Sequence, residues 1–116
     1  MHMVTPFDDV GGWKRDLAIA RTIGRTADGP TLLIGDLNSS YWHPGFRQVL
    51  DAGFVDAHAA AGSGFSTSWP IDRIVPAFVR LDHALTAGGL VSTAVADLDV
   101  PGSDHRGVLV TVAPTR

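Results

Sequence analysis

The chain has 116 residues, of which 45 % are hydrophobic and 18 % are charged. This length predicts one domain, and this balance is typical of a folded protein rather than a disordered tail or a coiled coil. The absence of cysteine excludes a disulfide scaffold, a zinc ribbon and a thiol nucleophile. A net charge of −3 with a single lysine predicts only weak non-specific attraction to a polyanion. All 12 acidic residues are aspartates.

No apolar run approaches the roughly 18 residues of a membrane span. No basic segment precedes an apolar stretch, as it would in a signal peptide. The sequence predicts no particular compartment.

Two helices are predicted in the first half of the chain. The first begins after a cap at Asp8 or Asp9 and ends at Asp28, which is followed by glycine and proline. Its apolar positions recur at helical spacing, and Trp13 is expected to pack it onto a sheet. The second covers roughly Pro44 to Ala52, where the proline suits the first turn.

Four strands are predicted around a long Gly/Ser/Pro-rich loop at residues 53–76, which carries a helical turn near residues 56–61. The strands are Thr31–Ile34, Phe78–Leu85, Leu90–Val100 and Arg106–Ala113. We expect the first, a short apolar run, to be buried on both faces of the sheet. Since two helices cover only one face, either a second copy or a missing half of the domain is expected on the other.

Three short polar motifs stand at or near predicted strand ends. They are residues 35–38 (Gly-Asp-Leu-Asn), 80–83 (Arg-Leu-Asp-His) and 103–105 (Ser-Asp-His). Each alone is compatible with an ordinary turn, cap or surface ion pair. The functional alternative is a ligand site, because such sites form at the carboxyl edge of α/β sheets and an aspartate often orients a catalytic imidazole. Asp82 lies inside a strand, where aspartate is disfavoured, and could orient a histidine of a neighbouring strand.

In this order and spacing the three motifs resemble the carboxyl-terminal half of the endonuclease/exonuclease/phosphatase superfamily. Its members include deoxyribonuclease I, abasic-site endonucleases, neutral sphingomyelinases and inositol polyphosphate phosphatases. The resemblance covers residues 2–112 and does not distinguish between members. It implies an α/β fold that is half of a four-layer α/β sandwich, here one mixed, mostly antiparallel sheet with helices on one face. Residues 1–116 would then be a single partial domain.

The resemblance also implies roles for individual residues. Asp36 matches the aspartate that orients or deprotonates the attacking water, and Asn38 matches the amide that holds the phosphate. His105 matches the histidine that contacts the scissile phosphate and assists proton transfer. Asp82 matches the aspartate that hydrogen-bonds this histidine, and Asp104 matches a carboxylate near the metal.

Further residues are implied at the margin of the same site. His2 resembles a second catalytic histidine of the family. Ser68-Trp69 resembles a pair that precedes the Arg-Leu-Asp motif and lines the substrate groove. Trp42, in the loop after Asn38, is a candidate for substrate contact or for covering the sheet edge.

The family pattern and this chain differ in the metal ligand. The family holds Mg²⁺ or Mn²⁺ mainly through a glutamate of its amino-terminal half, and this chain contains no glutamate. A hard divalent cation prefers such oxygen ligands. The bare sheet face and the absent ligand therefore indicate one missing half.

The resemblance implies a magnesium-dependent phosphoesterase that acts by in-line attack of water, with the isolated chain inactive. The substrate, whether nucleic acid, phospholipid or small phosphate ester, is left open. The alternative is a non-catalytic dimerising module that keeps the motifs as relics. In either case a homodimer through the exposed sheet face is expected.

Three other histidines and two arginines have simpler interpretations. His43 and His58 are expected on loop or helix surfaces, and His83 in the core. Arg73 and Arg80 either touch phosphate or form solvated surface pairs with neighbouring aspartates.

Overall fold

The computed structural model of the chain describes residues 1–62, 67–69 and 79–115. Three helices and five strands lie in this part of the chain. In order they are α1 (Val10–Thr26), β1 (Thr31–Asp36), α2 (Pro44–Asp51), β2 (Val55–Asp56), α3 (Ala57–Ala60), β3 (Asp82–Ala87), β4 (Leu90–Asp99) and β5 (Arg106–Pro114). The mixed α/β class predicted from the sequence is confirmed. None of these helices has the length and apolar character needed to cross a bilayer.

Both predicted helices form, with the predicted starts. Asp9 caps α1, since its carboxylate accepts a hydrogen bond of 2.8 Å from the Gly12 N–H. Pro44 occupies the first turn of α2, where a missing N–H has no cost. Trp13 packs at the margin of the hydrophobic core, as expected.

A three-stranded antiparallel sheet in the order β1-β3-β2 carries the core. Leu33 of β1 lies opposite Leu85 of β3, and both face α1 and α2. The buried side chains that pack there include Leu17 and Ala20 from α1 and Phe46 from α2. Burial of apolar surface on this one face is the main stabilising contribution to the sheet.

The opposite face of the sheet is only partly covered, which corrects the expectation that the first strand is buried on both sides. Leu32 and Ile34 of β1 and Val55 of β2 are exposed there. On the same face of β3, Ala84 and Thr86 are buried, and strands β4 and β5 contact β3. Helices α1 and α2 cover the Leu33 face, and Leu32, Ile34 and Val55 of the other face remain in solvent.

Strands β4 and β5 form a separate two-stranded antiparallel sheet. The sequence predicted a single sheet. Among the described residues, no ladder of hydrogen bonds joins β4 or β5 to the three-stranded sheet, so this detail of the prediction is wrong. An irregularity between Ser92 and Ala94 shifts the register of the hairpin. The sheet ends at Arg106, directly after the Ser-Asp-His motif.

The region predicted as a long loop contains more regular structure than expected. The two-residue strand β2 pairs with β3, and α3 confirms the helical turn. Residues 63–66 and 70–78, which include Arg73 and the first residue of the predicted strand 78–85, lie outside the described residues. Strand β3 begins only at Asp82, and Val79 forms an isolated bridge with Trp69.

Candidate active site

Two aspartates meet at one edge of the main sheet. Asp36 is the last residue of β1 and Asp82 is the first of β3, and the antiparallel register places them directly opposite each other. Like charges in directly opposite positions destabilise a sheet. Such a pair is therefore expected where the carboxylates have charged partners or a chemical use.

The imidazole of His105 lies beside this pair. Its Nδ1 is 2.7 Å from Oδ2 of Asp82. Because an ionised carboxylate only accepts hydrogen bonds, this contact places the proton on Nδ1 when the ring is neutral. The other nitrogen, Nε2, is then available to take or give a proton, and it lies 3.9 Å from Oδ2 of Asp36 and 3.8 Å from Oδ1 of Asp104.

A buried serine fixes the Asp82 carboxylate from the other side. The Ser68 hydroxyl donates to Oδ2 of Asp82 at 2.9 Å and accepts from the Leu81 N–H at 3.0 Å. Burial raises the pKa of Asp82, whereas the hydrogen bonds from His105 and Ser68 lower it, and the pKa remains above its usual value. Ser68 is fully buried, so the expectation that it lines the groove is wrong. Sequence spacing gave no signal for its contact with Asp82.

The segment after β1 is held in a fixed turn. The Asn38 N–H donates to Oδ1 of Asp36 at 2.9 Å, and Asn38 has a positive φ of 45°, which asparagine tolerates better than most residues. The Asn38 amide nitrogen donates to the Met3 carbonyl at 2.7 Å. This turn therefore couples the orientation of the Asp36 carboxylate to the position of the Asn38 amide.

The amino-terminal residues lie against the same turn. His2 forms a parallel bridge with Asp36, and the Met3 N–H donates to the Asp36 carbonyl at 2.9 Å. The Nε2 atom of His2 lies 3.5 Å from Oδ2 of Asp36, with the ring largely exposed. The structure thus places His2 next to Asp36, at the same edge of the sheet as His105.

Trp69 and Asp104 lie next to the rim of the site, which is formed by Asp36, Asn38, Asp82 and His105. The Trp69 indole N–H donates to Oδ2 of Asp104 at 3.0 Å. The Trp69 ring also lies beside the imidazole of His105, with centroids 6.1 Å apart. The contact with Asp104 restrains the indole, so Trp69 forms a fixed wall next to His105.

The carboxylates of the rim fit a hard divalent cation only in part. Ligand atoms of Asp36, Asp82 and His105 lie within 4.8 Å of one another. Mg²⁺ prefers oxygen ligands, and Oδ2 of Asp82 already accepts two hydrogen bonds. Asp36 is the other carboxylate of this group. Asp104 does not belong to it, although its Oδ1 lies 3.8 Å from His105 Nε2.

A cleft of about 710 Å³ opens next to His105 and Asn38. Six apolar side chains line it: Pro6, Phe7, Trp42, Trp69, Val79 and Leu81. The structure therefore brings both predicted substrate-contacting tryptophans to the same cleft as the predicted phosphate-binding amide.

A model of the Endonuclease/Exonuclease/phosphatase family matches residues 2–105. The chain belongs to this family. Endonucleases, exonucleases and phosphatases all act on phosphoester bonds. The resemblance seen in the three sequence motifs is confirmed.

One solved structure similar to this family member is the mannosyl-6-phosphatase Bt3783 of Bacteroides thetaiotaomicron VPI-5482. The TM-score is 0.59 at 17 % sequence identity, which shows a shared fold. The alignment covers 97 % of this chain and 49 % of that one, so the chain spans about half the length of that protein. A search of the curated proteins gives no match.

The predicted surface positions of Arg80 and His58 are wrong. Both side chains are buried, and both bind Asp97 of β4, Arg80 at 2.7 Å and His58 at 3.0 Å. Burial acts to raise the pKa of Asp97, but these two partners outweigh it and hold the pKa below its usual value. Arg80 also donates to the Asp82 carbonyl at 3.3 Å. The second sheet is thereby tied to the backbone of the site.

His83 is a core residue, as expected. It is fully buried, its Nε2 lies 2.7 Å from the Ser39 carbonyl oxygen, and its ring stacks on Phe46 with centroids 4.3 Å apart. Burial lowers the pKa of His83 to about 4. The ring is therefore neutral near pH 7 and has a structural role beneath the site.

His43 is only half-buried, as expected for a loop residue. Its ring meets Trp13 edge-on and its Nδ1 accepts a hydrogen bond of 2.9 Å from the Ser40 N–H. Burial, together with the nearby Arg47, lowers the pKa of His43. It lines the cleft as a neutral side chain near pH 7.

Proposed function

We propose that this chain forms one wall of a divalent-metal-dependent phosphoesterase site that hydrolyses its substrate by in-line attack of water. The observation that carries the proposal is the 2.7 Å contact between His105 and Asp82, with His105 Nε2 directed toward the Asp36 side of the rim at 3.9 Å. A nucleophile, a proton carrier and donors to phosphate oxygens must meet at one point for this chemistry.

The residues have separate parts in this proposal. Asp36 orients the attacking water and accepts its proton, and the turn that binds its Oδ1 to the Asn38 N–H fixes the direction of the carboxylate. Asn38 holds a phosphate oxygen. His105 Nε2 contacts the scissile phosphate and transfers a proton, while Asp82 keeps Nδ1 protonated. His2, on the open side of Asp36, contributes a second imidazole to the phosphate.

Mg²⁺ or Mn²⁺ is the cation we propose for the site. When bound, it would polarise the phosphate and stabilise the negative charge that develops in the transition state. Asp36 and Asp104 are the donors of this chain that suit it, Asp104 being held by the Trp69 indole. We place the principal ligand outside this chain, since the chain contains no glutamate.

We further propose that a second protein layer completes the domain on the exposed face formed by Leu32, Ile34 and Val55. The half-length match to a solved structure supports a complementary half of the same fold as that layer. Without it, the chain is expected to be inactive and to bury this face against another copy, as a homodimer.

The alternative function is a non-catalytic dimerising module. The same three exposed side chains favour it, because a face of this kind stabilises a dimer whether or not chemistry occurs at the rim. Light scattering combined with a magnesium titration distinguishes the two. A tight dimer with no affinity for Mg²⁺ favours the module, whereas metal binding that is lost in Asp36→Asn and Asp104→Asn favours the enzyme.

The proposal is tested by supplying the missing layer. The chain is co-expressed with the amino-terminal half of a family member or with its own upstream coding sequence, and hydrolysis of chromogenic phosphate monoesters and diesters is measured with Mg²⁺. Activity that Asp36→Ala and chelation both abolish, and that Leu109→Ala on the exposed hairpin leaves unchanged, is the expected result. A folded complex that hydrolyses no phosphoester contradicts the proposal.

A further inference from the structure

The cleft beside the rim is exposed and aromatic. Phe7 is 94 % exposed and Trp42 is 78 % exposed, and both line it together with the restrained indole of Trp69. Large aromatic side chains that are exposed around a concave surface are typical of a binding site.

The described lining of the cleft carries no permanently charged side chain. Among the described residues, no aspartate, lysine or arginine lines it. His43 is neutral near pH 7, since burial and Arg47 lower its pKa and its Nδ1 accepts the Ser40 N–H. The backbone of a nucleic acid would need cations along its path, because neutralisation of phosphates provides most of its affinity. An uncharged, apolar group needs no such cations in order to bind.

The position of the cleft relates it to the reaction. His105 and Asn38 belong to the rim and also line the cleft. A phosphoryl group held at the rim therefore directs whatever is esterified to it along the apolar wall of Trp69, Val79 and Leu81. The leaving alcohol, rather than a second phosphate, is the part of the substrate that would fill this space.

From these observations we infer that the substrate is a phosphate ester whose alcohol part is apolar and uncharged, bound between Trp42, Phe7 and Trp69. This inference rests on the proposed function, since it assumes a phosphoryl group at the rim. The apolar group has two sources, a flat aromatic ring or an alkyl chain of a lipid. Either group would bind by burying its apolar surface against the side chains of the cleft.

Binding of phosphonates, which are not hydrolysed, tests the inference on the chain as it is. Isothermal titration calorimetry compares methylphosphonate, which has the phosphoryl group alone, with 1-naphthylmethylphosphonate, octylphosphonate and a short oligonucleotide. We expect at least one of the two apolar phosphonates to bind about tenfold more tightly than methylphosphonate. The tighter of the two identifies the ring or the chain as the source, and the oligonucleotide is expected to bind no more tightly than methylphosphonate.

Variants connect this gain to the cleft. Trp42→Ala combined with Phe7→Ala should bring the apolar phosphonates to within about threefold of methylphosphonate while the affinity for methylphosphonate stays the same. Leu109→Ala, which removes an exposed apolar side chain from β5, away from the cleft, should keep the gain. Phe7 and Trp42 are exposed, so their removal is not expected to unfold the chain.

The outcomes separate this inference from the function on which it rests. If methylphosphonate binds and neither apolar phosphonate binds more tightly, the inference is wrong and the phosphoesterase proposal stands. An oligonucleotide that binds more tightly than both apolar phosphonates also overturns it. If 1-naphthalenemethanol binds in a Trp42-dependent way but no phosphonate does, the inference is wrong, because the cleft then takes an apolar ligand without a phosphoryl group at the rim; the reconstitution with a second half still tests the phosphoesterase proposal by itself.

Discussion

The Nδ1 atom of His105 lies 2.7 Å from Oδ2 of Asp82, although the two residues are 23 positions apart in the chain. The contact joins the two sheets of the described structure, since Asp82 opens β3 and His105 precedes β5. It also fixes which nitrogen of the imidazole is directed away from the carboxylate. The site therefore depends on how the hairpin β4-β5 packs against β3.

The protonation pattern of His105 gives the first prediction. In the native chain the neutral ring should carry its proton on Nδ1, because the Asp82 carboxylate accepts it. Asp82→Asn should reduce the population of this tautomer, since the new amide can also donate. Long-range ¹⁵N–¹H spectra of the imidazole measure the tautomer directly, with His105→Gln to assign the resonances of His105 among those of the five histidines. The same tautomer in both proteins would contradict the assigned role of Asp82.

Ser68→Ala should destabilise the chain and loosen the rim. The substitution leaves the buried Asp82 carboxylate and the Leu81 N–H each without one hydrogen bond, a loss of about 1–3 kcal/mol in the free energy of unfolding. Urea unfolding measures it, with Ser92→Ala in β4 as the matched substitution far from the rim. If the two variants lose equal stability, Ser68 has no special part in holding Asp82.

Removal of the buried ion pair should cost more. Asp97→Asn removes the carboxylate that lies 2.7 Å from the buried guanidinium of Arg80, and breaking a buried ion pair by removing one partner typically costs about 3–5 kcal/mol. The Asp97 side chain is 22 % exposed, which allows water to reduce this value. The exposed Asp99→Asn, in the same strand, is the control. Equal midpoints of urea unfolding for the two variants would show that the Arg80 pair contributes nothing.

The burial of His83 should make the chain less stable at acidic pH. Its pKa is lowered from 6.5 to about 4 in the folded chain. The unfolded chain therefore takes up this proton first, and the stability is fully present above pH 6.5 and is lost as the pH falls toward 4. The loss amounts to about 3 kcal/mol over that window. The difference in free energy of unfolding between the native chain and His83→Gln should narrow by this amount on acidification. A difference independent of pH would show that His83 is not buried in its neutral form.

Self-association should depend on the uncovered part of the sheet. Leu32→Lys together with Ile34→Lys places charges on this face and should weaken a dimer strongly, because apolar burial is its main source of affinity. Sedimentation of the native and variant chains measures the change, with Val91→Lys on the hairpin as the control. A native chain that remains monomeric at high concentration would contradict the proposed interface.

The elements and the rim were predictable because they depend on local patterns. Asp9 and Pro44 mark helix starts through backbone hydrogen bonding, and the polar motifs stand where predicted strands end. Antiparallel pairing of β1 and β3 then brings Asp36 and Asp82 to one edge without further information.

What the sequence did not predict depends on contacts between distant segments. The burial of Arg80 and His58 follows from Asp97 on β4, 17 and 39 positions away, and no local pattern indicates that pairing. Ser68 was expected to line the groove, because no local pattern indicates its hydrogen bond to Asp82, 14 positions away. The apolar run of β1 predicts cover on both faces, but whether cover is present depends on a partner and not on the strand.

We propose that the rim formed by Asp36, Asn38, Asp82 and His105 holds one phosphoryl group. This is measured by titration of the chain with inorganic phosphate in the presence of Mg²⁺, followed through the imidazole resonances of His105 and the side-chain amide resonances of Asn38. We expect saturable shifts of both groups with one common midpoint, and loss of the His105 shift in Asn38→Ala. Resonances of His105 and Asn38 that do not move, or that move with different midpoints, would contradict it.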